Sequence, residues 1–181
     1  VKAYPTAEDL PEPVDLAVIA VPRDEVLTVI DQCARRGVRA VIVLSTGFAE
    51  ADDTGKHLQQ ELVERVRGYG MRMLGPNCLG LINNDYQTGL NASMAVDLPP
   101  PGNIAISSQS GALGMALLKL AQSRRLGISA FVSMGNKADV TGNDLRRAAD
   151  CVISDEPVPE PWYPSSGCNI KWKPGQEPSY F

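Results

Sequence analysis

Two runs in the chain have residue types and spacing suited to handling an anion: Gly75-Pro76-Asn77-Cys78-Leu79-Gly80 and Ser107-Ser108-Gln109-Ser110-Gly111-Ala112-Leu113-Gly114. Small residues let a backbone approach a phosphate closely, and free N–H groups at the start of a helix stabilise its charge. The second run opens a helical pattern, so phosphate chemistry is the first expectation there. A serine N-cap with glycines for tight packing would use the same residues, and their types alone weigh the two readings about evenly. A third polar turn, Ser45-Thr46-Gly47, offers hydroxyls and N–H groups, although ordinary turn chemistry also selects these residues.

Other reactive side chains carry less. Asn77 suits a loop that it fixes through its own backbone. Cys78 would need a neighbouring base or cation to act as a nucleophile, and the sequence places neither beside it. Both read as lining a site rather than performing its chemistry. Lys137 could neutralise a phosphate, but the solvated surface reading has the edge. His57, flanked by Lys56 and Gln59, sits on a polar helix face, and Asp52 and Asp53 suit the start of that helix through its dipole.

The elements that must hold these residues follow from hydropathy. Residues 15–21 and 38–44 are continuous apolar runs, of the kind buried in a parallel sheet covered by helices. Between them Val26, Val29, Ile30 and Cys33 recur at helical spacing, and Gly37 follows as a stop. Leu58, Leu62, Val66 and Tyr69 repeat that pattern ahead of Gly70 and the strand 71–74. Two consecutive βαβ crossovers define a doubly wound sheet, whose carboxyl edge is where ligands bind. Residues 81–96 read as a looser stretch, and Pro99-Pro100-Pro101-Gly102 as the domain boundary. A second strand–helix–strand pattern occupies 103–107, 111–126 and 128–134. From Cys151 onward, closely spaced prolines predict an irregular tail.

Composition narrows the function classes. The chain has 181 residues, 44% of them hydrophobic and 21% charged, with a formal net charge of −4. Lys and Arg form no basic stripe, which excludes a nucleic-acid binder. No apolar run approaches the roughly 20 residues of a membrane helix, and no signal peptide is legible, so the expectation is a cytoplasmic protein. Cys33, Cys78, Cys151 and Cys168 are scattered without a CxxC pair, so neither a disulfide framework nor a metal site is expected.

Taken in order, residues 15–22, Ser45-Thr46-Gly47-Phe48-Ala49-Glu50, 75–83, 102–114 and 131–139 resemble the CoA-binding and adjoining ligase regions of ADP-forming acyl-CoA synthetases, relatives of the succinyl-CoA synthetase alpha subunit. The resemblance covers about the first 150 residues. It implies an α/β fold with a Rossmann-like parallel sheet, incomplete at its N-terminal side, over 1–98, and the first part of a flavodoxin-like domain over 99–150. The irregular tail, 151–181, has no part in it. It further implies a ligase converting a carboxylic acid, CoA and ATP into acyl-CoA, ADP and phosphate through an acyl phosphate and a phosphohistidine.

By the same resemblance, Val21, Pro22, Ser45, Thr46 and Gly47 touch CoA, while Ser110, Gly111 and Ala112 form the helix end facing the phosphohistidine. ATP, ADP and magnesium belong to a separate ATP-grasp domain or subunit, for which this chain offers no segment. The family's first βαβ unit is expected upstream of Val1. Its catalytic histidine belongs to a region replaced here by the tail, and His57, on a helix between the second and third strands, cannot inherit the role. The chain is therefore expected to be an internal fragment without a catalytic residue, inactive by itself and prone to self-association through unpaired sheet edges. Two alternatives stand beside this reading: a CoA-binding regulatory region of a protein acetyltransferase, and a dinucleotide-binding Rossmann domain, although no GxGxxG follows a strand.

Overall fold

The computed structural model describes residues 2–84, 89–141 and 143–144; the expected tail at 151–181, with Cys151 and Cys168, lies outside them. Strands β1 (Leu16–Ile19), β2 (Ala40–Val43) and β3 (Arg72–Leu74) form a parallel sheet in sequential order. Helix α1 (Val26–Arg36) connects β1 to β2, and α2 (Asp53–Gly68) connects β2 to β3. Gly37 terminates α1 in the left-handed region, at φ +83°, where a side chain would be strained. Asp52 caps α2 by accepting from the Gly55 N–H at 2.6 Å.

Two successive right-handed crossovers in the same direction place both helices on one face of the sheet. That face forms the main core, where Ile19, Val41, Val43 and Met73 meet Val26 and Ile30 of α1 and Leu62 and Val66 of α2. The expectation of a sheet sandwiched between helices needs correction at the other face. There Ile42 and Leu74 pack against Ala92 and Met134, which belong to a second sheet and the turn that follows it.

The second sheet contains β4 (Gly80–Asn83), β5 (Leu90–Ser93), β6 (Pro101–Ser108) and β7 (Ile128–Ser133), in the order β5-β4-β7-β6. Strands β6 and β7 are parallel and joined through α3 (Gly111–Ser123), as the strand–helix–strand pattern requires. Strand β4 runs antiparallel to both β5 and β7. Residues 81–83 and 90–93 of the looser stretch expected over 81–96 are thus strand. Asn, Gly and Ala there have little strand preference, and the ladder with β7, about fifty residues away, supplies the order. One sheet consequently takes strands from both sides of the proline run at 99–101.

Candidate functional site

Because β1, β2 and β3 are parallel, the turns that follow them gather at one carboxyl edge, the position where open α/β sheets bind ligands. Val21 and Ser45 meet directly, with the Ser45 hydroxyl donating to the Val21 carbonyl at 2.6 Å. The Asn77 N–H donates to the Ser45 carbonyl at 2.9 Å, which brings the 75–80 run against the 45–47 turn. From the loop after β7, the Asn136 N–H reaches the Pro76 carbonyl at 2.9 Å and the Ala138 N–H reaches the Gly75 carbonyl at 3.3 Å. Turns from both sheets therefore share one edge.

The two glycine- and serine-bearing runs are neighbours. A Cβ added to Gly111 would stand 2.9 Å from Cγ of Leu79, so only glycine lets the start of α3 approach this closely. The Leu79 N–H donates to the Ser133 hydroxyl at 2.9 Å, and the Met134 N–H to the Ser108 carbonyl at 2.8 Å. Ser110 is the N-cap of α3, its hydroxyl accepting from the Leu113 N–H at 3.3 Å. Ser110 and Ala112 are exposed and Gly111 is half-buried. The capping geometry serves the packing reading.

The 45–47 turn differs in one respect from a simple array of donors. Its Ser45 hydroxyl is engaged by Val21, and the Gly47 N–H donates to the Glu50 carboxylate at 2.6 Å. The Gly47 carbonyl accepts from the Arg23 guanidinium at 2.8 Å. Pro22 and Thr46 are exposed beside them. Thr46 and the apolar surface of Pro22 are exposed to a ligand here, whereas the Arg23 guanidinium is engaged by the Gly47 carbonyl and the carboxylates of Asp24 and Asp52.

Cys78 is buried, 4% exposed, and its thiol points at the Val43 carbonyl at 3.4 Å. Burial pushes the thiol pKa up to about 11, against weaker opposing hydrogen bonds from the backbone, so Cys78 is a packing residue and not a thiolate nucleophile. Asn77 takes a left-handed conformation, φ +57°, and its side chain donates to Asn136 Oδ1 at 3.3 Å. Asn is among the few side chains that tolerate that region. Lys137 is half-buried, and His57 stands exposed on α2. Among the described residues no cluster of His, Cys, Asp and Glu could hold a metal ion.

Three residues escaped the reading of residue types. Glu50 accepts from the N–H groups of Gly47 and Phe48 and from Asn136, 86 positions away. Burial raises the Glu50 pKa, but hydrogen bonds from Asn136 and the turn backbone outweigh it and hold the carboxyl below its ordinary value. Asp139, fully buried, accepts from Arg67 at 2.9 Å, from Arg72 at 3.0 Å and from the Met73 N–H at 2.8 Å. A carboxylate three residues after a Ser-Thr-Gly turn is a local signal for the first contact of Glu50. No local signal exists for Asn136 or Asp139, whose partners are remote in sequence.

Comparison with known proteins adds family relations to this geometry. Residues 1–84 match a family model described as a CoA binding domain, and residues 101–151 one described as a succinyl-CoA ligase like flavodoxin domain. The alpha subunit of ADP-forming acetate–CoA ligase I from Pyrococcus furiosus is 44% identical over 80% of this chain and 31% of its own length. An ADP-forming 4-hydroxybutyrate–CoA ligase from Nitrosopumilus maritimus is 38% identical over 80% of the chain and 21% of its own. A solved structure of a dinucleotide-forming acetyl-coenzyme A synthetase from Candidatus Korarchaeum cryptofilum, in complex with phosphate and ADP, superposes with a TM-score of 0.75 at 46% identity. That superposition covers 80% of this chain and 30% of that one. The chain thus spans about a third or less of the relatives it matches.

Proposed function

Given that the chain belongs to the ADP-forming acyl-CoA synthetases, with a CoA-binding domain leading into a succinyl-CoA ligase-like flavodoxin domain, we propose that it is the CoA-binding part of an acid–CoA ligase. The observation that carries this reading is the convergence of the turns after β1, β2, β3 and β7 on one sheet edge, tied by Ser45–Val21, Asn77–Ser45 and Asn136–Pro76 bonds.

CoA lies across that edge, against Val21, Pro22, Ser45, Thr46 and Gly47. Arg23, a third exposed, shapes this edge by donating to the Gly47 carbonyl, its charge being shared with the carboxylates of Asp24 and Asp52. Asn77 and Cys78 form the wall between this turn and the start of α3. The N-terminus of α3, at Ser110, Gly111 and Ala112, faces the phosphorylated group of the intact enzyme and stabilises it through backbone N–H groups. The proposed division into 1–98 and 99–150 is supported by the family matches, which end at 84 and resume at 101.

The ligase joins a carboxylic acid to CoA through an acyl phosphate and a phosphohistidine, with ATP and magnesium held by an ATP-grasp part outside this chain. The chain has a single histidine, His57, exposed on α2 between β2 and β3. By itself the chain binds CoA without completing the reaction, in a cytoplasmic setting. Titration calorimetry of the full chain with CoA and with NAD in parallel tests the reading. CoA binding with no NAD response is expected, and NAD binding alone overturns it. A stable phosphoenzyme formed from labelled ATP would overturn the statement about His57.

A further inference from the structure

Glu50 has no part in the roles assigned above, yet it stands where the CoA turn meets the second sheet. We propose that Glu50 is a positioning residue of the CoA site, shaping the 45–48 turn and coupling it to the loop after β7; this rests on the CoA-binding reading. One oxygen, Oε1, accepts from Gly47 N–H at 2.6 Å and Phe48 N–H at 3.2 Å, and the other, Oε2, accepts from Asn136 Nδ2. Asn136 is itself held on several sides. Its amide also donates to Gln59 Oε1 of α2 at 2.8 Å, its Oδ1 accepts from Asn77 at 3.3 Å, and its N–H donates to Pro76 at 2.9 Å. The Asn77 N–H to the Ser45 carbonyl closes the ring back on the turn.

Each hydrogen-bonding group that faces the Glu50 carboxyl is a donor. A carboxylate accepts at both oxygens, so it satisfies the turn and Asn136 at once. A glutamine would set an NH₂ group against another donor on one side or the other. The concavity formed by the Gly47 and Phe48 N–H groups is therefore filled from within the chain, and a CoA phosphate does not occupy it. Glu50 acts on the ligand through the turn that presents Thr46, without touching the ligand itself.

The test is CoA titration of the full chain as wild type, Glu50→Gln, Asn136→Asp and the double variant, with thermal melts and the Gly47 amide resonance as independent readouts. Each single variant should weaken CoA binding about tenfold, and the double variant should recover to within about threefold, because the new amide donates to the new carboxylate and Gln59, by turning its side-chain amide, donates where it had accepted. A merely structural role would not produce that recovery in affinity with equal melting temperatures. Single variants that bind CoA as wild type while the Gly47 resonance shifts would overturn the proposal, as would a double variant no better than the singles. Should Glu50→Gln fail to fold, Asn136→Ala carries the test, and wild-type affinity in that variant overturns the proposal. Loss of CoA binding in the wild type would remove the CoA reading as well, whereas wild-type binding with indifferent variants removes only the role of Glu50.

Discussion

Cys78 and Glu50 show how the same sheet edge pushes two titratable groups in opposite directions. Cys78 has its neutral form favoured by burial, so its folded pKa lies above the unfolded one. Its contribution to stability is complete below the ordinary value of 9.0 and is lost as pH rises to about 11. Cys78→Ala should therefore flatten the alkaline fall in melting temperature over that window relative to wild type, read by thermal melts from pH 8 upward. Native Cys78 should also resist alkylation until denaturant is added; rapid labelling of the folded protein would contradict its burial. Glu50 has its charged form favoured, so its contribution is present above the ordinary carboxyl value of 4.5 and fades as pH falls through the lowered one. Asn77 and Cys78 were legible as residues of a turn, because Asn tolerates φ +57° and a cysteine among apolar neighbours is commonly buried.

Helices and central strands were the most readable elements, for local reasons. Helix α1 carries its buried residues Val26, Ile30 and Cys33 on one stripe and ends at Gly37, and α2 repeats the pattern with Leu62 and Val66. The α2 cap is a testable local device. Asp52→Ala removes the acceptor for the Gly55 N–H and should cost about 1 kcal/mol in urea unfolding, with the fold unchanged. Strands β4 and β5 were not readable, since Ile82 is their only strong strand former and the ladder with β7 supplies the order. The second partner of β4, β7, comes from remote sequence, and period-two alternation over four residues is too short to stand out.

Across the molecule, Asp139 is a buried polar tie between the segment after β7 and the first sheet. Its carboxylate, buried after β7, accepts from Arg67 at the end of α2, from Arg72 on β3 and from the Met73 N–H. Removing one member of a buried ionic group leaves the others uncompensated, so Asp139→Ala should lose about 3 kcal/mol or more in urea unfolding. A loss below about 1 kcal/mol would mean that apolar packing alone joins the sheets. Strands β1 and β6 have ladder partners on one side only among the described residues, and Ile104, Leu113 and Leu120 are 44%, 56% and 49% exposed. Self-association that rises with concentration is the expected outcome in light scattering. A monodisperse monomer at high concentration would count against it.

Read alone, the chain was enough to place its α/β class, its first parallel sheet and the turns that carry Ser45, Asn77 and Ser110, because periodicity, caps and turn residues are local properties. Tertiary structure decided the rest. It joined the two sheets through Asp139, placed Leu79 against Gly111, brought Asn136 to Glu50, and made strands of residues that seemed loose. Each of those outcomes depends on groups distant in sequence finding complementary donors, acceptors or packing space, and no window along the chain contains both partners.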